Sequence, residues 1–490
     1  MVHPRKFVRD SAGIALSQYL ARAMMLARGW AAAVALGPGG FGHWNALNLI
    51  FDYGSYASLG SLQGLDLELP SAVAAGDRAR ARALMAGAWS VILAGGLAFA
   101  LALALVLALR PHEALTLGPG LAALMALAAL LQLAFQYFAS SLRAYGRFHA
   151  VSSGQAIQAV VGAGLGVLLV WRLGLFGLLA GWLLGSVLAL AGMRRAGPEI
   201  PLLARGPGEG VRLARNGFPI FAFFVTSLVL RSVDRLALVR FGAPESLGLY
   251  SLGLMAAGST LYIPESVAFV LFPRIASAWR GTADRDAARD QVLRAQRALC
   301  VVLPLAVGLA LVWAEPVVRA WLPAYAPGLA SLRLLVAGAL VLSAATVPSY
   351  FLLGAKRERS LLKLGLVAAA INTALVFGVA ARRPEPAAVA LASTCGYALF
   401  AALLLARAAG ELFERPAARA GFVVRSLGPV VWGVLAAFLG ARMAAGGGAP
   451  QVALATTAFI GLYAPALVLF GRGVGLRGLA REWLSARRPV

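Results

Sequence analysis

Apolar stretches recur along almost the whole chain and are separated by short polar segments. Fourteen of them are long enough to cross a membrane as helices: 11–37, 41–65, 84–109, 118–140, 150–171, 173–193, 216–239, 247–272, 298–314, 327–354, 364–381, 387–406, 426–441 and 451–470. About 17–25 apolar residues span the roughly 30 Å hydrocarbon core of a bilayer. The short alternating segments of a β-barrel are not present in the sequence. The pattern therefore predicts an all-α polytopic membrane protein with 14 transmembrane helices.

The basic residues indicate how these helices are oriented. Of the 44 Lys and Arg residues, 32 fall in the two termini and in the polar segments on the same side as the termini, and seven fall in the opposite loops. The other five lie inside the apolar spans. Because Lys and Arg in short loops remain cytoplasmic, we expect a multi-pass protein with both termini in the cytoplasm.

Composition excludes several other classes of protein. The chain is 60% hydrophobic and only 13% charged, which is incompatible with an ordinary soluble domain. Its net charge of +24 is spread over many short loops, which favours contact with anionic lipid over nucleic acid. The two cysteines, Cys300 and Cys395, lie inside spans without a CxxC partner. We therefore expect inert packing at these positions, with no disulfide, metal site or cofactor.

Two parts of the chain resemble each other. Residues 37–44 open a span that ends at Pro70, and residues 241–250 open another that ends at Pro273, each before a charged segment. The repetition predicts two parallel six-helix lobes, an arrangement typical of transporters. The predicted divisions are an N-terminal lobe at 1–210 with helices 1–6, a C-terminal lobe at 211–420 with helices 7–12, and helices 13–14 with a cytoplasmic tail at 421–490.

The charged residues inside the spans are the candidates for function, because a charge at mid-membrane costs about 2.5–3.5 kcal/mol on insertion scales. Arginine binds phosphate oxygens through two parallel hydrogen bonds and stays charged at any physiological pH. We therefore predict a cationic cavity for a phosphate-bearing substrate. The substrate-binding candidates are Arg22 and Arg28 on span 1, and Arg231 and Arg235 on span 7.

Three acidic residues near these arginines are candidates for ion coupling or gating: Asp52, Asp234 and Glu265. A purely structural interpretation is open for each, with Arg22–Asp52 and Arg231–Asp234 as ion pairs joining helices and Glu265 solvated at the inner rim. The fifth arginine, Arg333, lies six residues inside span 10 and is interpreted as reaching toward the outer interface.

Several of these residues belong to stretches with a family resemblance. The run 37–77, with Tyr53, Tyr56 and Gly60, and the run 217–273, with Asp234-Arg235, resemble two regions of bacterial polysaccharide flippases. These flippases form the polysaccharide-transporter (oligosaccharide/O-antigen flippase) branch of the multidrug/oligosaccharidyl-lipid/polysaccharide exporter superfamily. The resemblance implies a cation-lined cavity and a bacterial cytoplasmic (inner) membrane location. It also implies that an isoprenoid-diphosphate-linked oligosaccharide is translocated to the outer leaflet, by alternating access, for cell-surface polysaccharide assembly.

The alternatives within the superfamily are a peptidoglycan lipid-precursor flippase and a drug/cation antiporter; five intramembrane arginines against three acids disfavour the antiporter. A membrane-embedded glycan polymerase or ligase is the alternative from another class, but the paired carboxylates of glycosyl chemistry are missing, so no enzyme is expected. The expected partners are the lipid-linked oligosaccharide and the bilayer, with a glycan polymerase or glycosyltransferases as candidate protein partners. A coupling ion, proton or sodium, is left open.

Overall fold

The computed structural model describes residues 4–109, 118–279, 281 and 284–471. This part of the chain contains α-helices and one short 3-10 helix, Pro323–Gly328, and no β-strand. The α-helices, numbered here in chain order, are α1 Pro4–Gly54, α2 Ser61–Ala74, α3 Arg78–Leu109, α4 Pro119–Ala144, α5 Phe148–Ala196, α6 Pro207–Phe241, α7 Pro244–Trp279, α8 Arg285–Trp321, α9 Leu329–Ser343, α10 Thr346–Gly354, α11 Glu358–Ala380, α12 Pro386–Leu412, α13 Pro416–Ala444 and α14 Ala449–Gly471. The predicted all-α class is confirmed.

Eleven helical segments of the described part are long and apolar enough to cross a membrane. The count of 14 spans stays a prediction, and the predicted tail beyond residue 471 lies outside the described residues. Two of the long helices are bent at a single glycine with a positive φ: α1 at Gly37 (φ 63°) and α5 at Gly174 (φ 55°). Glycine tolerates this left-handed conformation without a Cβ clash. Spans 1 and 2, like spans 5 and 6, are thus joined by a sharp kink.

The helix ends follow from local sequence. Helix α4 begins with Pro119, whose missing N–H costs nothing in the first turn. It ends before Gly146, whose φ of +71° stops the helix. Helix α8 begins after Asp284, whose carboxylate accepts hydrogen bonds from the backbone N–H groups of Asp286 and Ala287. These signals place the polar segments at helix termini, where unpaired backbone groups need partners.

The predicted continuous span 41–65 is broken in the structure. Helix α1 ends at Gly54 and α2 begins at Ser61, with Leu59 (φ 50°) and Gly60 (φ 91°) in left-handed conformations between them. Non-helical backbone at membrane depth is tolerated where it is buried in protein or lines a cavity. The break follows directly after the acidic candidate Asp52, so it belongs to the region in which function is sought.

The chain divides into two compact units, residues 1–239 with 243–248, and residues 240–242 with 249–490. The division predicted at residue 210, from the repeat, stays a prediction. Almost all of α6, with Arg231 and Arg235, belongs to the first unit, as does all of α1. The second unit contains α8–α14, in which α9 packs on α12 and α13 packs on α8 and α14.

Backbone contacts hold the first half of α6 against α2 and α3. A Cβ atom added to Gly64 of α2 would lie 2.1 Å from the carbonyl oxygen of Leu213, and one on Gly217 would lie 2.2 Å from that of Gly60. At Gly210 the added atom would lie 2.2 Å from the carbonyl oxygen of Gly87 on α3. Small residues permit this close approach of helices in membranes. The first half of α6, the helix that carries the span 7 arginines, is thus held against α2 and α3.

A network of charges surrounds the same junction. Arg212 on α6 donates hydrogen bonds to Glu68 of α2 and to Glu209, one turn earlier, at 2.5–3.0 Å. Arg80 at the start of α3 lies 3.2 Å from Glu209 and 3.5 Å from Glu68. Several charges that share partners stabilise more than an isolated surface pair does. The network therefore fixes the rotation of α6, and with it the direction of Arg231 and Arg235.

Candidate functional site

Arg28 lies on α1 in a pocket made by aromatic side chains. Its guanidinium carbon is 4.7 Å from the ring centroid of Trp44 and 5.0 Å from that of Trp182 on α5. Its Nη2 donates a hydrogen bond to the carbonyl oxygen of Leu178 at 3.3 Å. The residue is only 8% exposed. Two aromatic faces thus hold a buried cation through cation–π contacts, which strengthen when water is excluded.

The Arg28 cation has no acidic partner within ion-pair distance among the described residues, and its buried Nε has no hydrogen-bond partner there. A buried charge costs several kcal/mol unless it is compensated. Cation–π contacts offset part of this cost but do not neutralise the charge. The pocket is therefore positively charged, as a site for an anion requires.

A second group of charged and hydroxyl side chains lies where the broken span 2 meets α6. Asp52 Oδ2 is 2.9 Å from Arg235 Nη2, with side-chain exposures of 31% and 13%. One residue along, the Tyr53 hydroxyl is 2.8 Å from Ser232 Oγ, also on α6. Tyr56 lies near the Arg231 guanidinium. The polar side chains that flank the helix break are thus gathered on one side of α6.

Asp234 lies next to Arg235 on α6. It is fully buried, and its Oδ1 accepts a hydrogen bond from the backbone N–H of Arg235 at 2.7 Å. Arg235 in turn makes the ion pair with Asp52 that one interpretation of the sequence gave to Arg22. Arg231 is exposed and Arg22 is half-buried. Of the four arginines, Arg231 is the most accessible to a ligand and Arg28 the least.

The Arg28 pocket and the Asp52–Arg235 pair are neighbours. Phe51 packs edge-on against Trp182, with ring centroids 5.9 Å apart, and Trp182 also covers Arg28. The next residue along the chain, Asp52, pairs with Arg235. All four predicted arginines belong to the first unit, together with two of the three predicted acids. The predicted site residues in the first unit thus comprise four cations and two carboxylates.

The third predicted acid, Glu265, is half-buried on α7 in the second unit. It follows Pro264, which lies inside the helix and cannot donate a backbone hydrogen bond. One residue beyond, Ser266 Oγ donates to the carbonyl oxygen of Tyr262 at 2.8 Å. The coupling or gating role of Glu265, Asp52 and Asp234 stays a prediction, as does substrate binding by the four arginines.

Arg333 makes an ion pair that the sequence did not predict, and its position near the outer interface stays a prediction. Its Nη2 donates a hydrogen bond to Glu315 Oε2 at 2.8 Å, and the Glu315 side chain is only 6% exposed. Arg319 donates to the other oxygen of the same carboxylate at 2.9 Å. Glu315 directly follows the predicted span 298–314, but the helix continues past it, since α8 runs to Trp321. Arg333 thus joins α9 to α8 as an ion pair.

Sequence reasoning missed the two tryptophans that hold Arg28, because aromatic residues are common in apolar spans and carry no signal of their own. It also missed a group of glutamines, Gln63, Gln132, Gln136 and Gln155, which line a cavity between α2, α4 and α5. A signal existed for these, since amide side chains are rare inside membrane spans and Gln132 and Gln136 are one helical turn apart. No group of three metal-ligating side chains is found in the described part of the chain.

Comparison with protein families identifies the chain. Residues 80–324 match the model of a family described as polysaccharide biosynthesis protein. The match covers half of the 490 residues, and the chain belongs to this family. No curated protein sequence matches significantly.

Several solved structures of membrane exporters share this fold. The lipid II flippase MurJ, in an inward closed conformation, aligns with a TM-score of 0.67 and 15% identity over 94% of this chain and 98% of its own. An inward-facing multidrug resistance MATE family transporter of the MOP superfamily aligns with a TM-score of 0.63 and 15% identity over 79% of this chain and 94% of its own. A Vibrio cholerae MATE transporter, VcmN, aligns with a TM-score of 0.52 and 14% identity over 84% of this chain and 99% of its own. The chain is thus a multi-pass membrane protein with the fold of these flippase and transporter structures.

Proposed function

We propose that this member of the polysaccharide biosynthesis family flips an isoprenoid-diphosphate-linked oligosaccharide from the cytoplasmic to the outer leaflet by alternating access. Its location would be the bacterial cytoplasmic membrane, with both termini in the cytoplasm. The family description supports a role in polysaccharide assembly, and the fold supports transport. The relatives with this fold are named as flippases and transporters, not as enzymes.

The observation that carries the proposal is the excess of arginine around Arg28 and the broken span 2. A diphosphate brings two or more negative charges and several acceptor oxygens, which guanidinium groups bind through charge-assisted hydrogen bonds. Arg231, which is exposed, would make the first contact, and Arg28 would supply an uncompensated charge deeper in the site. The Asp52–Arg235 pair would hold the Arg235 guanidinium in place beside the broken span.

A peptidoglycan lipid precursor is the second candidate substrate, since it also carries a diphosphate. The observation that favours it is the alignment of the lipid II flippase structure over 94% of this chain. A drug cation fits poorly, because a cationic ligand requires unpaired acidic groups and this region has more arginines than acids.

The test is translocation in vesicles reconstituted with the full chain. A fluorescent polyprenyl-diphosphate-linked sugar in the inner leaflet is followed by its accessibility to a membrane-impermeant quencher. We expect faster exposure with protein than without, and loss of that increase when Arg28 and Arg231 are both replaced by Gln. A rate equal to that of empty vesicles, or one that the double replacement leaves unchanged, contradicts the proposal. Unlabelled lipid II and an unlabelled polysaccharide precursor, added as competitors, distinguish the two substrates.

A further inference from the structure

A polar cavity of about 230 Å³ lies within the first unit, apart from the arginine cluster. Its walls come from α2, α4 and α5 and carry the end groups of Gln63, Gln132, Gln136 and Gln155. At its mouth lies Asp66, 50% exposed, together with Arg143. A polar cavity with this lining is unexpected between helices that cross a membrane, because unpaired polar groups there cost free energy.

The cavity presents hydrogen-bonding groups that the protein does not satisfy. The amide oxygens of Gln63 and Gln155 are buried without a hydrogen-bond partner. Gln132 is held in place by Gln158, whose Nε2 donates to its Oε1 at 3.0 Å and to Ser186 at 3.1 Å. An amide offers two donor hydrogens and an acceptor oxygen. The lining therefore contains amide groups that the protein leaves partly without hydrogen-bond partners.

The charge at the cavity mouth is balanced. Asp66 Oδ1 accepts hydrogen bonds from Ser140 Oγ at 2.6 Å and from Arg143 Nη2 at 3.2 Å. The pair has no net charge, so the cavity provides neither the free cation that a phosphate requires nor the free carboxylate that an organic cation requires. The second oxygen of Asp66 remains available as an acceptor. These properties favour an uncharged ligand with many hydroxyl groups.

We infer that this cavity binds one uncharged sugar ring, as a glycan site separate from the site for the diphosphate. Each sugar hydroxyl donates and accepts, which matches the mixed donors and acceptors of amide side chains. Phe135 and Leu62 supply an apolar wall for the C–H face of the ring. The inference rests on the proposed function in one respect, since it gives the glycan of the substrate a place of its own.

The experiment uses the purified full chain in detergent micelles and saturation-transfer NMR, which detects weak binding. The probes are N-acetylglucosamine and glucose for the cavity, and geranyl diphosphate for the arginines. The test variant carries Gln63→Met and Gln155→Met, which remove the two unpaired amides at similar side-chain volume. The control is Gln451→Met, an exposed glutamine of the second unit whose amide donates to the carbonyl oxygen of Met443.

We expect saturation of at least one sugar by the wild type and the control, and about tenfold weaker binding by the double variant, since two hydrogen bonds are lost. Geranyl diphosphate binding is expected to be equal in all three proteins. Absence of sugar binding, or equal sugar binding in all three, overturns the inference and leaves a water-filled cavity. If the double variant does not fold, Gln136→Met alone is used, with the same criterion.

The two probes also separate the glycan site from the proposed function. Sugar binding that depends on the glutamines, combined with no binding of geranyl diphosphate, supports the cavity and contradicts flipping of a diphosphate-linked substrate. Binding of geranyl diphosphate that depends on Arg28 and Arg231, with no sugar binding, supports the proposed function and overturns the glycan site.

Discussion

Replacing Arg28 by Met separates a ligand-binding role from a structural one. The guanidinium is buried between Trp44 and Trp182 and has no carboxylate partner within ion-pair distance among the described residues. Methionine is flexible enough to fill the same space between two rings and carries no charge. If the charge serves a ligand, its loss abolishes binding of the anion without weakening the fold.

The expected change in the free energy of unfolding of Arg28→Met is the balance of opposing contributions. Two desolvated cation–π contacts are worth about 2 kcal/mol each, and the long hydrogen bond to Leu178, at 3.3 Å, contributes at most about 1.5 kcal/mol. Against these stand the several kcal/mol that burial of an unneutralised charge costs. The unpaired buried Nε adds a penalty of about 1–3 kcal/mol. The contributions nearly cancel, so the free energy of unfolding of Arg28→Met should change by less than about 1 kcal/mol.

Arg333→Met is the matched control, because it is also an arginine inside a span but has an acidic partner. Removing Arg333 leaves the buried Glu315 carboxylate with Arg319 alone. Breaking a buried pair costs about 3–5 kcal/mol, and the remaining partner reduces this to about 2–3 kcal/mol. The control should therefore lose stability and keep diphosphate binding, the reverse of the result expected for Arg28→Met.

Both quantities are measured on the same preparations. Unfolding is followed by circular dichroism as sodium dodecyl sulfate is added to mixed micelles, and binding of geranyl diphosphate is followed by calorimetry. The reasoning is refuted if Arg28→Met is destabilised by more than about 2 kcal/mol, which would make the residue a packing element. Undiminished geranyl diphosphate affinity in Arg28→Met would equally remove it from the substrate site.

Two further predictions concern the junction of α2, α3 and α6. Gly64→Val should destabilise the protein by about 2 kcal/mol or more, because the new side chain meets the carbonyl oxygen of Leu213, whereas Gly120→Val, with open space around it, should change far less in the same unfolding titration. Hydrogen bonds from Arg212 lower the pKa of Glu68 below its ordinary value of 4.5, so this stabilisation is complete at neutral pH and is lost as the pH falls through the lowered pKa. Glu68→Gln should flatten that acid-side fall in the thermal unfolding temperature, and an unchanged fall would contradict the assignment.

Hydropathy and the distribution of arginine predicted the helical fold, because a membrane leaves few alternatives to a chain with such long apolar stretches. What they could not predict is where a helix breaks inside an apolar stretch. The segment from Asp52 to Ser61 was included in the predicted span 41–65 although it contains three serines and two glycines, and its backbone leaves the helix at Gly54 and resumes at Ser61. The stop depends on Leu59 and Gly60 adopting positive φ, which tertiary packing stabilises.

The candidate site, like the fold, could be predicted from the sequence only in part. The sequence identified Arg28 and Arg235 because a charge inside a span is conspicuous. It did not assign the partners correctly, since one interpretation paired Asp52 with Arg22, whereas the structure pairs it with Arg235. The choice of Arg235 depends on the rotation of α6, which is fixed by glycine contacts and by the Glu68–Arg212 network. Those contacts join residues about 150 positions apart in the chain and have no local signature.

The two stretches that resembled each other in sequence contact each other reciprocally. A Cβ atom added to Gly42 would lie 1.8 Å from the carbonyl oxygen of Pro244, and one on Gly248 would lie 1.7 Å from that of Pro38. Gly42 and Gly248 are 206 residues apart in the chain, as are Pro38 and Pro244. In a contact with two-fold symmetry each element meets its equivalent in the same way. Gly42 and Gly248 therefore occupy equivalent positions in this contact, which lies within the first unit.

The reciprocal contact predicts that substitutions at the two glycines have matching effects on stability. Gly42→Val and Gly248→Val each place a side chain against a backbone carbonyl that no rotamer change can move, so both should destabilise the protein, by about 1–3 kcal/mol. The two losses should agree, and the double variant should lose less than their sum, because the first substitution already separates the backbones and relieves the second. Equilibrium unfolding of the three variants measures this coupling. A large loss for one glycine and none for the other would show that the resemblance between the stretches does not extend to their packing.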